Sequence, residues 1–290
     1  GNTLTQRLSY RQAYYAPEER AFNGFGLVLQ RDSDAAPGGL LSKRWFHTGQ
    51  SLDMPRDDYS QHDPHAITPG PTLIGRHTTP DAMQPTDHHD SLITPPTPQQ
   101  QREASYALRG LPLRVEVSAL DAADGVPLSV QQHRYMVRQL APAHGAQAWA
   151  RLLPLRLETL DCHYERVPDD PVCQHQLNLR WDAYGSLVHS VTLHHARRKT
   201  ATDAPPVQLS DAHARQWWRE THDAAQQHYY LSETLAQWIH LPRPDQWRLG
   251  LPYRQRSNAW TLPKGEWPSG LAPATVSYER FIDRHSGPLG

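Results

Sequence analysis

Short runs of alternating apolar and polar residues recur along most of the chain, each bounded by Gly, Pro or Asp. Such runs are typical of antiparallel strands, in which successive side chains point to opposite faces of a sheet. Because no βαβ alternation accompanies them, they predict a mainly β fold of antiparallel hairpins in a curved, open sheet. The six clearest runs are "FGLVLQ" (25–30), "LPLRVEVSAL" (111–120), "HRYMVRQL" (133–140), "LPLRLETLDCHYERV" (153–167), "HQLNLRW" (175–181) and "SLVHSVTLHH" (186–195).

The stretch "NLRWDAYGSLVHSVTL", residues 178–193, predicts a β-hairpin. Two alternating strands flank Asp182-Ala183-Tyr184-Gly185, where the Asp side chain can bond to the turn backbone and Gly can adopt a positive φ. An aromatic-Asp pair followed by Tyr-Gly and a second strand also resembles the YD (RHS) repeat. Hairpins of that repeat stack side by side into a long curled sheet.

One helical pattern interrupts the strands and is predicted to begin after Ser210 as its N-cap and to continue to about Gln227. Its aromatic stripe indicates a face that docks on the sheet. The following "HYYLSETLAQWIH" is compatible with a helix or a strand, and "WRLGLPYRQRSNAWTLPKGEW" indicates extended chain. The residues at helical spacing are Ala214, Trp217, Trp218, Thr221 and Ala225.

Residues 51–101 are rich in Pro, His, Asp and Thr and have almost no apolar periodicity, so we interpret them as a long surface insertion. The chain then divides into four parts. These are residues 1–50 with a Tyr-rich strand segment, the insertion 51–101, the hairpin segment 102–200, and residues 201–290 with a helix followed by extended chain.

Composition narrows the possible functions. The 290 residues are 38% hydrophobic, enough to bury a core. Because 29 Lys and Arg balance 30 Asp and Glu, no net positive field would attract a nucleic acid. No run reaches the roughly 20 apolar residues that span a bilayer, and no Sec-type signal is visible, so we expect no membrane insertion. The start at Gly1 and the loop-like end "RHSGPLG" favour a piece of a longer polypeptide.

The glycines of "NGFG", Gly24 and Gly26, are a fragment of a dinucleotide-binding fingerprint. The complete fingerprint needs a third Gly, a following helix and a βαβ unit, whereas "LVLQRD" predicts a strand. We therefore expect the glycines to allow a bulge or a close strand approach around Phe25, and we predict no cofactor.

Two cysteines and two histidines, Cys162, His163, Cys173 and His175, are of zinc-ligand type. Neighbouring side chains on a strand point to opposite faces, so Cys162 and His163 cannot converge without a bulge, while Cys173 and His175 share a face. Ordinary packed or exposed residues are the favoured interpretation, and a zinc site and a disulfide across the hairpin stay open. Histidines of the insertion, interpreted as solvated, are His62, His65, His88 and His89.

The sequence predicts no catalytic, cofactor-binding or metal-binding residue, and hence no enzyme. The acidic pairs Glu18-Glu19 and Asp169-Asp170 lie in the predicted turns "APEER" and "VPDDP", where adjacent acids are usually solvated. There is no G-x-S-x-G elbow, and neither cysteine lies in a recognised nucleophile context.

Five blocks of the chain resemble, in order, the B component of bacterial insecticidal Tc toxins (TcB). The first has the Tyr-rich stretch and the Arg-framed G-F-G of that family. The blocks are "YRQAYYAPEERAFNGFGLVLQRD", "SKRWFHTG", "LRGLPLRVEVSALD", "HYERVPDDPVCQHQLNLRWDAYGSLVHSVTLHHARR" and "WRLGLPYRQR". The resemblance is to the middle-to-C-terminal portion of a TcB-type protein or of a fused B–C protein.

The resemblance implies that this segment is wall of a hollow β shell, which B and C components form around the toxic C-terminal region of C. The expected partners are a TcC-type component and, through a propeller elsewhere in the full protein, a pore-forming TcA-type component. It also implies a secreted protein. Two other hypotheses are a carbohydrate- or receptor-binding β module, and a hydrolase or metal enzyme built from the His-rich segment.

Overall fold

Twelve strands and three α-helices make up the part of the chain that the computed structural model describes, residues 5–32, 39–77, 90–121, 125–165, 167–206, 211–266 and 276–284. Each of the six runs with the alternating pattern lies in a strand over most of its length, which confirms a mainly β fold. The strands are β1 (Gln6–Ala16), β2 (Ala21–Asp32), β3 (Leu40–Phe46), β4 (Leu73–His77), β5 (Asp90–Leu92), β6 (Pro112–Ala119), β7 (Ser129–Ala141), β8 (Arg151–His163), β9 (Val172–Trp181), β10 (Leu187–His194), β11 (His228–Arg243) and β12 (Gln246–Pro263).

One open sheet contains all of these strands, in the order β1-β2-β3-β6-β7-β8-β9-β10-β11-β12, with β4 and β5 beside this path. Most neighbours in space are also neighbours in sequence, as expected for a chain of hairpins. Every pair is antiparallel except β4 with β7. Within the described ranges, β1 and β12 each pair on one side only and therefore form the two ends of the sheet.

Residues 51–101, which we interpreted as a surface insertion, include regular structure that joins the sheet. Strand β4 pairs in parallel with the C-terminal half of β7, and the side chain of Ile74 on β4 is buried. Helix α1 (Pro98–Leu108) begins before residue 101, so the expected boundary cuts through a helix. Residues 78–89, including His88 and His89, lie outside the described ranges. Apolar periodicity is weak here because β4 has only 5 residues and β5 only 3.

Helix α1 was not predicted, and it begins at a capping box. The Thr97 hydroxyl accepts a hydrogen bond from the Gln100 N–H, and the Gln100 side chain accepts one from the Thr97 N–H. This exchange satisfies two backbone donors at the helix start, and Pro98 suits the first helical turn.

Helix α2 (Ala212–Thr221) is shorter than predicted. Its N-cap is Asp211, not Ser210, which lies outside the described residues. After Thr221 the chain continues into a separate 3-10 turn, Ala224–Gln227. Of the predicted aromatic stripe, Trp218 is buried whereas Trp217 is 44% exposed, so only part of it docks.

The C-terminal part of the chain forms a long hairpin and a short helix. The ambiguous "HYYLSETLAQWIH" is strand β11, and the predicted extended chain after it is β12. Helix α3 (Tyr278–Arg284), which was not predicted, packs on the sheet through Tyr278 and Phe281. None of the helices in the described ranges combines the length and the apolar character that a bilayer crossing requires.

The largest apolar cluster lies where β7 to β11 meet α3, and it is centred on Leu157, Leu177 and Leu193, each fully buried. A second cluster lies under α1, around Leu108 and Val137. Both faces of the middle of the sheet are therefore covered, whereas the two end hairpins are largely exposed.

Candidate functional site

The turn between β9 and β10 is built around Asp182. It contacts side chains from three other strands, β7, β8 and β11. Oxygen Oδ1 of Asp182 accepts hydrogen bonds from the N–H groups of Tyr184 and Ser186, both at 2.9 Å. Its Oδ2 is 2.7 Å from Nε2 of His240 on β11. The carboxylate thus closes the turn, as the sequence pattern predicted. It also binds His240 of the next strand, which was not predicted.

Gly185 confirms its predicted positive φ, with a value of +85°. A Cβ atom at this position would lie 2.7 Å from Cδ2 of Leu153, so the turn also presses against β8. Behind the turn, the guanidinium of Arg138 donates to the Asp182 carbonyl at 2.6 Å and to both carboxylate oxygens of Asp90. Arg138 is fully buried, and Asp90 lies on β5. A single side chain therefore connects β5, β7 and the turn.

A second buried ionic group lies at the centre of the sheet. The Glu158 carboxylate on β8 accepts from Arg134 on β7 at 2.7 Å and is 2.9 Å from Nε2 of His175 on β9. It also accepts from the N–H of Tyr278 on α3, and Arg134 donates to Glu279 of the same helix. These contacts fix α3 to the strands.

The surroundings of Glu158 determine its charge. Burial alone would raise the pKa of this carboxyl, but the hydrogen bond and charge of His175, the charge of Arg134 and the Tyr278 N–H hold the pKa below its usual value. The carboxylate is accordingly ionised and paired, a structural arrangement that also restrains its partners.

A third group surrounds Asp170, which is fully buried although its sequence context suggested a solvated turn. Its oxygens accept from the backbone N–H groups of Arg198 and Lys199 at 2.7 and 3.0 Å, and Oδ2 is 2.8 Å from Nε2 of His222. His222 stacks on Trp218 of α2. Asp170 therefore attaches α2 to the loop before β9, and the expectation of a solvated acid is wrong because these donors come from residues distant in sequence.

The glycine-rich segment is a strand with a bulge, as predicted, and no helix follows it directly. In the β1–β2 register Ala13 pairs with Phe25 and Tyr15 with Phe22, so β2 contains one extra residue between these pairs. Gly24 has a φ of +97°, and a Cβ at Gly26 would lie 2.9 Å from Oε1 of Gln12. The glycines permit this irregularity and close approach.

The zinc-type residues are only partly brought together. Cys162 and Cys173 face each other with 2.7 Å between their sulfur atoms, whereas His163 is exposed and His175 contacts Glu158. Within the described ranges, no three His, Cys, Asp or Glu side chains are grouped so as to hold a metal ion. The interpretation as a zinc site therefore has no support from the described geometry.

Exposed apolar residues concentrate on the two end hairpins. On β1–β2, Tyr10 and Phe22 are more than half exposed, and both rings contact Phe25, at centroid distances of 4.9 and 5.2 Å. On β12, Trp247 and Tyr253 are 67% and 68% exposed. These residues lie on the hairpins that form the two ends of the sheet. The sheet edges are therefore the surfaces best suited to contact other chain segments.

Two models of the insecticide toxin TcdB family match the chain. The model of the TcdB middle/C-terminal region matches residues 103–251, more than half of the chain, and the model of the middle/N-terminal region matches residues 1–48. No curated protein matches the chain.

Solved structures of Tc toxin complexes are similar to nearly the whole chain. The crystal structure of TcdB2-TccC3-Cdc42 matches with a TM-score of 0.79 and 26% identity, covering 95% of this chain and 13% of that chain. That of TcdB2-TccC3 matches with a TM-score of 0.77 and 26% identity over 93% of this chain and 13% of that chain. The structure of the Photorhabdus luminescens Tc holotoxin pore with a TccC3 mutation matches with a TM-score of 0.79 and 25% identity, covering 95% of this chain and 12% of that chain. The chain thus spans only about 13% of the length of these relatives.

Proposed function

Because the chain belongs to the insecticide toxin TcdB family, through its match to the middle/C-terminal region, we propose that it is a wall segment of a toxin shell. In this proposal, the full B component and a TcC-type component together enclose the toxic C-terminal region of C. A TcA-type pore then delivers that region. The whole complex is secreted, and this segment has no turnover of its own.

The open sheet is the observation that carries this proposal. Its end strands β1 and β12 each have one side without a partner strand in the described ranges, and both end hairpins expose aromatic side chains. Unpaired edges with apolar side chains favour further pairing, so an isolated sheet of this kind is a liability. The same edges suit a sheet that continues into neighbouring wall.

The buried ionic groups support a structural role. Arg134, Arg138 and Asp170 each connect several strands or a strand and a helix, and their partners are held within the sheet. Groups engaged in this way are restrained by their neighbours, which suits a rigid wall more than acid–base chemistry on a substrate.

A test of the proposal alters an exposed edge without altering the core. In the full-length B protein, Trp247→Lys together with Tyr253→Lys should leave folding intact, because both side chains are exposed in this segment. If β12 contacts adjoining wall, the double variant should weaken co-purification with the TcC-type component and make its toxic region accessible to protease.

The matched control is Trp217→Lys on α2, an exposed aromatic residue that belongs to neither end hairpin. It should retain full protection of the toxic region and full cell killing when the TcA-type component is added. Unchanged protection and delivery in the β12 double variant would contradict the wall proposal.

A binding module is the second candidate, favoured by the contiguous rings of Tyr10, Phe22 and Phe25. Exposed aromatic faces can stack on sugar rings, and such a patch would lie on the first hairpin. Glycan-array binding that is lost in Tyr10→Ala with Phe22→Ala, while toxin protection is unaffected, would favour this candidate over the wall.

A further inference from the structure

The two cysteines of the chain occupy directly opposite positions on β8 and β9. Cys162 pairs with Cys173 in a continuous register, between the pairs Asp161–Gln174 and His163–Val172. Opposed residues in an antiparallel pair have Cα atoms about 4.5 or 5.5 Å apart, depending on the hydrogen-bonding site. Both values fall within the roughly 4.4–6.8 Å that a disulfide accommodates. The register therefore brings the two side chains into bonding range without backbone movement.

The environment of the pair is apolar and enclosed. Both cysteines are 5% exposed and belong to a cluster with Val130, Leu160 and Tyr164. The Sγ atoms of Cys162 and Cys173 are 2.7 Å apart. The structure records both as free thiols, which face each other across the strand pair inside this cluster.

Competing roles for these thiols find less support. The nearby carboxylate of Asp63 is already engaged by the guanidinium of Arg198, at 2.7 and 3.0 Å, and by the hydroxyl of Tyr164. Among the described residues no third ligand accompanies the cysteines in a metal-binding group. A nucleophilic role would need a thiolate, but the hydrogen bond with Cys173 and burial both raise the pKa of the Cys162 thiol.

We propose that Cys162 and Cys173 form a disulfide that joins β8 to β9 when the protein folds in an oxidising compartment. The oxidant is a disulfide of low molecular weight or of an oxidoreductase. One thiolate attacks this disulfide, and the other displaces it from the resulting mixed disulfide. The two S–H bonds are lost, one S–S bond forms between the cysteines, and the oxidant leaves as two thiols that carry the two protons.

The bond forms as β8 and β9 come into register, before the apolar cluster encloses the sulfur atoms. Once β8 and β9 have paired, burial keeps the thiols protonated and shields the sulfur atoms, so exchange in either direction is slow. The folded sheet thus protects the disulfide that its register created.

The disulfide closes the loop that carries Asp170. Within this connection between β8 and β9, the Asp170 carboxylate binds the backbone of Arg198 and the ring of His222. A covalent link at its base limits the opening of this junction between the sheet and α2, and it restricts the unfolded chain as well.

Peptide mapping of the full-length protein tests the proposal directly. Trypsin cleaves after Arg156, Arg166 and Arg180, so the cysteines fall in separate peptides, residues 157–166 and 167–180. The protein is exported to a bacterial periplasm, purified without reductant, unfolded, and blocked with N-ethylmaleimide at acidic pH before digestion. We expect the two peptides to be recovered as one linked species, and a sample reduced with dithiothreitol first to yield both as separate alkylated peptides.

Variants supply the controls. In Cys162→Ser the peptide with Cys173 should be recovered singly and alkylated, and in Cys173→Ser the peptide with Cys162 should behave in the same way. Recovery of both wild-type peptides as free alkylated thiols, or linked to other cysteines or to glutathione, would overturn the proposal. Because the readout is covalent connectivity, its outcome is independent of whether the shell proposal holds.

Discussion

At the scale of single residues, Gly185 combines two requirements in one turn. Its φ of +85° is costly for a residue with a Cβ, and that Cβ would lie 2.7 Å from Leu153. We expect Gly185→Ala to lower the free energy of unfolding by about 2–3 kcal/mol, of which about 1 kcal/mol comes from the backbone and the rest from the clash. Urea unfolding followed by circular dichroism measures this loss.

The control for this substitution is Gly110→Ala. Gly110 has a similar φ of +82° but no atom within 4 Å of a Cβ built on it. It should lose only about 1 kcal/mol, the backbone contribution. Equal losses in the two variants would show that Leu153 accommodates the added methyl group.

Buried neutral histidines should make stability depend on pH. Burial lowers the pKa of His47 to about 4, although Asp53 opposes this, and burial with the charge of Arg156 lowers the pKa of His133 to about 4. In the unfolded chain these groups titrate near 6.5, so the unfolded state binds more protons at intermediate pH. Their stabilising contribution is therefore full above about pH 6.5 and is lost as the pH falls toward 4.

A variant isolates this effect. His47 packs edge-on against Tyr135, so His47→Phe keeps an aromatic ring and removes the titration. We expect its unfolding free energy to fall less between pH 7 and pH 5 than that of the wild type, by on the order of 1–2 kcal/mol. Parallel urea titrations at the two pH values measure the difference, and identical pH slopes would refute the role of His47.

At the scale of elements, β4 shows that a polar-looking segment contributes to the core. Ile74 is 5% exposed and packs in the cluster under α1 with Tyr135 and Val137. We expect Ile74→Ala to lower the unfolding free energy by about 2–4 kcal/mol, since a buried aliphatic side chain leaves a cavity. Thermal unfolding checks this loss.

The control is Ile239→Ala on β11, because Ile239 is 41% exposed. Its loss should stay within about 0.5 kcal/mol, the usual range for surface substitutions. If Ile74→Ala were equally mild, residues 51–77 would be an appendage after all, as their composition suggested.

At the scale of the whole molecule, the open edges should govern solution behaviour. An isolated chain with unpaired β1 and β12 should associate with increasing concentration. We expect Leu8→Lys with Tyr10→Lys, two exposed residues of β1, to reduce this association in sedimentation velocity experiments, because charges disfavour pairing at a sheet edge.

A Trp149→Lys variant serves as the reference, since Trp149 is exposed in a loop distant from β1 in sequence. It should associate like the wild type. A monodisperse wild-type chain at all concentrations would mean that the edges are protected within the chain itself.

Several local features of this protein follow from the sequence alone. Alternation predicted six strands, and the Asp182 and Gly185 pattern predicted the hairpin turn with its positive φ. The bulge around Phe25 was also predicted. These features depend on residues within a few positions of one another, where backbone sterics and side-chain period act directly. Five ordered blocks were sufficient to indicate the family.

Tertiary structure decided which distant groups meet. The sequence did not reveal that Arg138 and His240 converge on Asp182, that Asp170 is buried, or that β4 pairs in parallel with β7. For the cysteines, the sequence was compatible with ordinary packed residues, a zinc site or a disulfide. Only the strand register places Cys162 opposite Cys173. Such contacts join residues separated by long loops, and their free energy arises when the sheet assembles and excludes water. No local pattern along the chain records that step.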